Sequence, residues 1–260
     1  MSALTATPTR PDGVPWRAMV GAELLKLRKR RGLFWSTLLL VVVPVVVGYV
    51  VLTLHHAIDP DHAAPAGGIT NLRGTYEFLA QVGMVAAIMT GITAGGGDLG
   101  AGVFRELVVT GRSRLALFGV RFPGGILFLA PYVLTAAVLA SVASVALPSS
   151  GREPGTLLMV EYAGWLAVAL LSGLALALGI GSLLSGRVAI GLVLAWQFVL
   201  TPLLLQIGKV DSFLVGAALR RIEPGSTDDS VSPTIAVLAL AAWTLIPLAV
   251  GAWRTARRDA

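Results

Sequence analysis

Chemistry needs side chains that hold a metal, move a proton or attack a bond, and this sequence offers few in usable patterns. His55, His56, Asp59, Asp61 and His62 have the donor types of a metal site. Nothing nearby is spaced to orient them, so an exposed polar loop is the simpler reading. Gly179-Ile180-Gly181-Ser182 presents a serine, but all three histidines fall in the 55–62 stretch and no base is placed to activate it. There is no cysteine, which excludes disulfides, thiol catalysis and thiolate metal sites. A phosphate-cradling loop needs Gly-x-x-x-x-Gly-Lys-Ser/Thr. The only lysines are Lys26, Lys29 and Lys209, and none has that context. Glu77 and Glu161 sit at the edges of apolar runs. They are candidates for a vestibule that favours cationic groups, with plain solvation at headgroup level as the simpler alternative. No catalytic, cofactor-binding or metal-ligating residue is assigned to the chain.

The elements that carry these residues are apolar. Of 260 residues 55% are hydrophobic and only 13% charged, with a mean hydropathy of +0.80. An average soluble domain has about 25% charged residues, so too little charge is present to cover a water-facing surface. The stretch Leu33–Leu54 contains no charge, and a run of about 18 or more apolar residues reads as a membrane-crossing helix. Five more such runs follow. The expected spans are 33–54, 77–97, 121–147, 158–184, 188–208 and 233–253, giving an all-α, six-span membrane protein with the membrane domain over 33–254. A soluble enzyme and a large extramembranous catalytic domain are excluded, because no loop has room for one. The first run is longer than a signal-peptide core, and Ala64-Pro65-Ala66 lies too far beyond it for a cleavage site, so it reads as retained.

Lys and Arg orient the spans, since they stay on the cytoplasmic side. With both termini inside, fifteen of the 20 Lys and Arg residues are cytoplasmic. Arg73, Arg152, Lys209, Arg220 and Arg221 remain outside. Pro44, Pro131, Pro202 and Pro247 lie within spans and predict kinks. Gly91 and Gly95, then Ala136, Ala140 and Ser144, recur at four-residue spacing, which lets helix backbones approach closely. No internal repeat is evident.

The segments between spans have their own patterns. Residues 1–15 are rich in Pro and Thr and read as a disordered tail. Residues 16–32 read as a basic amphipathic helix at the inner headgroup level, with Trp16, Met19, Val20, Leu24 and Leu27 on one face and Arg17, Lys26, Arg28 and Lys29 largely elsewhere. Glu23 sits on the apolar face and Leu25 on the polar one. After the second span, Leu99, Val103 and Leu107 share a helical stripe, Gly111 breaks it, and Ser113 can cap a new helix running into the third span. A short cytoplasmic helix with such a stripe needs lipid or a partner to cover it. Between spans five and six, Asp211 or Ser212 can cap a short outer-surface or re-entrant helix running to Ile222, before Pro224-Gly225. Residues 255–260 form a cytoplasmic tail.

Two segments carry a family resemblance. Gly21–Gly32, GAELLKLRKRRG, precedes the first span, and Asp98–Arg121, DLGAGVFRELVVTGRSRLALFGVR, follows the second. On six spans with cytoplasmic ends, they resemble the permease subunits of ATP-binding-cassette (ABC) exporters of the second type. The family's loop pattern is met by Asp98, Gly102, Arg105, Thr110, Arg114 and Arg121, with Val103 replacing the usual Thr and Gly111 the usual Pro. The resemblance implies a permease without its own ATPase, powered by a separate subunit that binds ATP and Mg. It implies pairing with a second permease, identical or paralogous, in a prokaryotic cytoplasmic membrane. It makes Asp98, Leu99, Gly102, Val103, Arg105, Glu106, Leu107 and Arg114 the segment that receives the ATPase's motion, and Trp16, Glu23, Leu24, Lys26 and Arg28 the interfacial helix. The expected cargo, since the cavity would be apolar with few hydroxyls and amides, is a hydrophobic or amphipathic small molecule, such as a drug, antibiotic or lipid-like compound, and no nucleic acid is expected. Two other classes compete. An ion-coupled secondary transporter usually carries an ionisable side chain at mid-span, at a cost of about 2.5–3.5 kcal/mol on the insertion scale. None sits there; only Gln197, Thr201, Ser141, Ser144 and Thr90 offer mid-depth polarity. A membrane-embedded enzyme would need clustered acids or histidines within the bundle.

Overall fold

The computed structural model describes residues 15–100, 113–149, 151–184, 186–204, 206, 213–227 and 231–257, without the side chains of 99, 100 and 187. All regular structure among them is helical. The order is α1 (Trp16–Arg28), α2 (Arg31–Val41), α3 (Val43–Ile58), α4 (Ile69–Gly100), α5 (Arg114–Gly119), α6 (Arg121–Ala146), α7 (Thr156–Leu183), α8 (Gly186–Ala195), a π-helical turn (Trp196–Leu200), α9 (Thr201–Leu204), α10 (Val215–Arg221) and α11 (Pro233–Arg257).

Five stretches are long and apolar enough to cross a membrane: Arg31–Ile58, Ile69–Asp98, Arg114–Ala146, Thr156–Leu183 and Pro233–Arg257. A sixth apolar helix, Val188–Leu204, is shorter. The structure is therefore that of a multi-pass helical membrane protein with five spans of full length. The apolar side chains that remain exposed, such as Val46, Val50, Leu134, Val138, Leu238 and Leu245, lie on these helices. In a bilayer the lipid covers them, so they cost nothing there.

α4 and α7 form the buried centre. Their most apolar windows are 61% and 72% buried within the chain, against 17–28% for the other three. Small residues make that contact possible. A Cβ on Gly91 would stand 2.5 Å from the Leu174 carbonyl oxygen, and one on Gly95 would collide with the Leu178 carbonyl. Gly179 faces Pro247 just as closely, joining α7 to α11. The four-residue stripe of Gly91 and Gly95 is thus a packing surface. Ala136, Ala140 and Ser144 play a similar part on α6, all fully buried, with the Tyr49 hydroxyl donating to the Ala140 carbonyl at 3.1 Å and lying 2.6 Å from Ser144 Oγ.

Prolines act locally. Pro44 lies in the first turn of α3, after an interruption at Val42 that splits the first span in two. Pro202 has no N–H to donate, and the turn just before it widens to π geometry, where the Thr201 hydroxyl reaches back 2.9 Å to the Trp196 carbonyl. The second span starts at Ile69 rather than near 77. Asn71, Arg73 and Glu77 lower its hydropathy without breaking it, because Arg73 and Glu77 pair at i,i+4 on one helix face. Gly68 supplies the left-handed turn at its entry, with φ +93°.

Candidate functional site

Asp98, at the inner end of α4, is the centre of a buried polar cluster. Lys26 Nζ on α1 donates to both of its carboxylate oxygens at 3.1 Å. Arg121 Nη2, from the first residue of α6, donates to Asp98 Oδ2 at 3.1 Å, while Nη1 donates to the Gly95 carbonyl at 2.9 Å. The Arg121 side chain is 1% exposed. Glu23, one turn before Lys26 on α1, completes the group through an ion pair with Lys26. Its place on the apolar face of α1 is thereby explained: that face packs against protein, and Glu23 lies against Gly124. Burial pushes the Glu23 carboxyl above its ordinary range, with Lys26 pulling the other way and Asp98 adding to the rise. Glu23 Oε1 finds no hydrogen-bond partner among the described residues.

Local sequence makes the cluster possible. Gly95, Gly96 and Gly97 strip side chains from the inner end of α4. A Cβ on Gly96 would stand 2.7 Å from the Gly181 carbonyl oxygen, and one on Gly97 2.8 Å from the Arg30 guanidinium. Helices therefore crowd this end closely enough to enclose three or four charges. Ser113 caps α5 as its sequence suggests, accepting from the Ala116 amide at 3.1 Å. Arg114 then ties α5 to the last helix, donating to the Ala256 carbonyl at 3.2 Å.

Of the residues the family resemblance assigns to coupling, Asp98 and Arg114 are seen in these contacts. The backbone of Leu99 belongs to α4, whereas its side chain and all of Gly102, Val103, Arg105, Glu106 and Leu107 lie outside the described residues. Of the interfacial-helix residues, Glu23 and Lys26 join the Asp98 cluster. Trp16 is half exposed beside Gly119, Leu24 is half-buried, and Arg28 is exposed.

A second charged group occupies the other end of α4. Arg73 Nε donates to Glu77 Oε1 at 2.7 Å and stands 3.1 Å from Glu223 Oε1. That second contact has ion-pair distance without hydrogen-bond alignment. These residues, with Gln81, Gln197 and Arg220, line a cleft of about 340 Å³. Burial, then the neighbouring Glu77, raises the Glu223 carboxyl above its ordinary range, against the opposing pull of Arg73. The short α10 forms one wall. It starts at Val215, with Leu214 as its extended N-terminal residue; the expected caps Asp211 and Ser212 lie outside the described residues. Aromatic donors fix it in place: Trp165 Nε1 to the Leu219 carbonyl at 2.8 Å and the Tyr162 hydroxyl to the Pro224 carbonyl at 3.1 Å. Glu161 is exposed and takes no part in the cleft. Glu77's acidic companion is instead Glu223, which sequence patterning missed because it lies in a loop far along the chain.

Arg73 and Asp98 are 25 positions apart on α4, about 37 Å at 1.5 Å per residue. A bilayer's hydrocarbon core is about 30 Å thick. The two groups are thus placed to sit at opposite interfaces. The remaining candidates gather nothing: His62 Nδ1 pairs with Asp59 at 2.9 Å, His56 Nδ1 lies 2.7 Å from the Ala63 carbonyl, and no metal-holding group of three or more His, Cys, Asp or Glu exists among the described residues. The Ser182 hydroxyl is spent on the Gly179 carbonyl at 2.7 Å. No protein-family model matches the chain, and a search of curated proteins finds no match either.

Proposed function

We propose that this chain is the membrane-spanning permease subunit of an ATP-driven exporter, of the ABC class its sequence resembles. In this reading Val188–Leu204 is part of a sixth crossing, both termini face the cytoplasm of a prokaryotic cell, and the Asp98 end of α4 is the cytoplasmic end. A separate ATPase subunit binds ATP and Mg, and a second permease, identical or paralogous, completes the transporter. The cargo is a hydrophobic or amphipathic small molecule moved outward by alternating access. The observation that carries the reading is the Lys26–Asp98–Arg121 cluster. It joins the basic N-terminal helix, the end of the second span and the start of the third beside the 98–114 segment where the resemblance puts ATPase contact. A push on that segment would reach three helices together. The alternative of an ion-coupled transporter finds no charged group at mid-depth among the described residues on which to act.

The test is purification of the tagged chain from its native cells in mild detergent, followed by identification of whatever copurifies. A P-loop ATPase at about one per chain is expected, and its absence from an intact, well-extracted chain overturns the reading. In the reconstituted complex, Leu107→Asp should leave membrane insertion intact and separate ATP hydrolysis from transport. Normal coupling in that variant would remove Leu107 from the contact.

A further inference from the structure

A groove of about 450 Å³ runs between α1, α2 and α6. Arg28 stands at its mouth, and Val42 and Thr135 line its far end. One wall is aromatic: Tyr132 lies edge-on to Phe34, with ring centres 5.7 Å apart, and 5.6 Å from Phe128. We propose that this groove seats one anionic phospholipid from the leaflet on the basic side, its phosphate on Arg28 and one acyl chain along the aromatic wall.

Depth supports a single-leaflet chain. Phe34 and Val42 are eight positions apart, about 12 Å of helix, against about 15 Å for half of the hydrocarbon core. Most of the lining at that depth is apolar, with Phe34, Leu38, Val42, Leu127 and Phe128, which gives water few polar partners and favours hydrocarbon as the filling. Charge selects the head. Arg28, Lys29, Arg30 and Arg31 follow one another at the helix break, and a basic pocket between spans on the cytoplasmic side favours anionic heads. A guanidinium matches phosphate with two parallel donors. No carboxylate opposes this on α1: its one acid, Glu23, is five residues away, about 140° around the helix, and is engaged by Lys26. Arg30 is turned toward Gly97 on α4, which leaves Arg28 as the cation at the mouth. The inference needs the spans to be in a bilayer and does not depend on an ATPase partner.

The test offers the purified full-length chain, in mild detergent, an equimolar mixture of phosphatidylglycerol and phosphatidylcholine with matched acyl chains, and counts retained lipid by native mass spectrometry. The chain should retain phosphatidylglycerol in preference by about fivefold, the effect of one cationic side chain near a membrane surface. Arg28→Gln should abolish the preference, while Lys29→Gln and Arg31→Gln, which lie outside the groove, keep it. Thr135→Trp fills the far end and should lower retention of both lipids with Arg28 in place. Thermal melting identifies any variant that is merely misfolded. Equal retention of the two lipids by the unaltered chain overturns the proposal. So does an Arg28→Gln variant that matches Lys29→Gln, or a Thr135→Trp variant that retains lipid normally.

Discussion

The two ends of α4 use the same side-chain types to opposite effect. At one end Arg121 is 1% exposed and Asp98 9% exposed, and together with Lys26 they tie α1 and α6 to α4. At the other, the side chains of Arg73 and Glu77 are 46% and 42% exposed, beside an open cleft. The first is a rivet and the second a mouth. Burial makes the difference. Removing one partner of a buried ion pair strands the other charge in low dielectric, whereas an exposed pair trades its partner for water at almost no cost.

The largest effect should come from the rivet. Asp98→Asn leaves the buried Arg121 without its carboxylate and should lower unfolding free energy by about 3–5 kcal/mol, read as denaturant or thermal unfolding in detergent. The double variant Asp98→Asn, Arg121→Met, which removes both charges, should recover much of that loss. A single variant that melts like the parent would show that the cluster is not a rivet.

Next is the packing that lets the inner end close. Gly95→Ala puts a methyl group into the Leu178 carbonyl. Overpacking of this kind costs about 1–3 kcal/mol, and Gly74→Ala, which meets nothing within 4 Å, is the control. Equal melting temperatures for the two would deny that α4 and α7 touch here.

At the mouth, the expected effect is a change in pH dependence. Glu223 is raised by burial, then by Glu77, from its ordinary 4.5. A carboxyl whose value rises on folding adds stability below its unfolded value, and that contribution is lost as pH climbs through the folded one. Glu223→Gln should therefore flatten the decline of melting temperature as pH climbs above 4.5. At neutral pH it should leave the chain at least as stable as the parent. A steeper decline in the variant would reverse the assignment.

The smallest effect belongs to Arg73→Gln, which breaks an exposed pair and should cost at most about 1 kcal/mol. A loss as large as that of Asp98→Asn would erase the contrast between the ends.

Much of this architecture was legible residue by residue. The run from Leu33 to Leu54 marks a span because nothing in it can be left in water, and Ser113 caps α5 because its hydroxyl can reach an amide three residues on. Other boundaries followed no local rule. Ile69 begins α4 well before hydropathy rises, since an i,i+4 ion pair is invisible to an average of hydrophobicity. The later part of α10 and the turn after it are held by the aromatic donors of α7, Trp165 to the Leu219 carbonyl and Tyr162 to the Pro224 carbonyl, which no window around Asp211 contains. Glu23 contradicts the apolar face of α1 in sequence, and only the packing of α6 against it and its pairing with Lys26 account for it.

Sequence alone determined that the chain is helical and built for a bilayer, because uncharged runs of that length have no other solvent. It also determined that the helix ends are basic and that small residues recur where helices must meet. Tertiary structure alone decided which charges share a site. Lys26, Asp98 and Arg121 are separated by up to 95 residues in the sequence, and Glu77 meets Glu223 rather than Glu161. Pairing across such distances depends on how the helices cross, which is set by glycine-to-carbonyl packing along α4 and α7, and no periodicity within one helix records it.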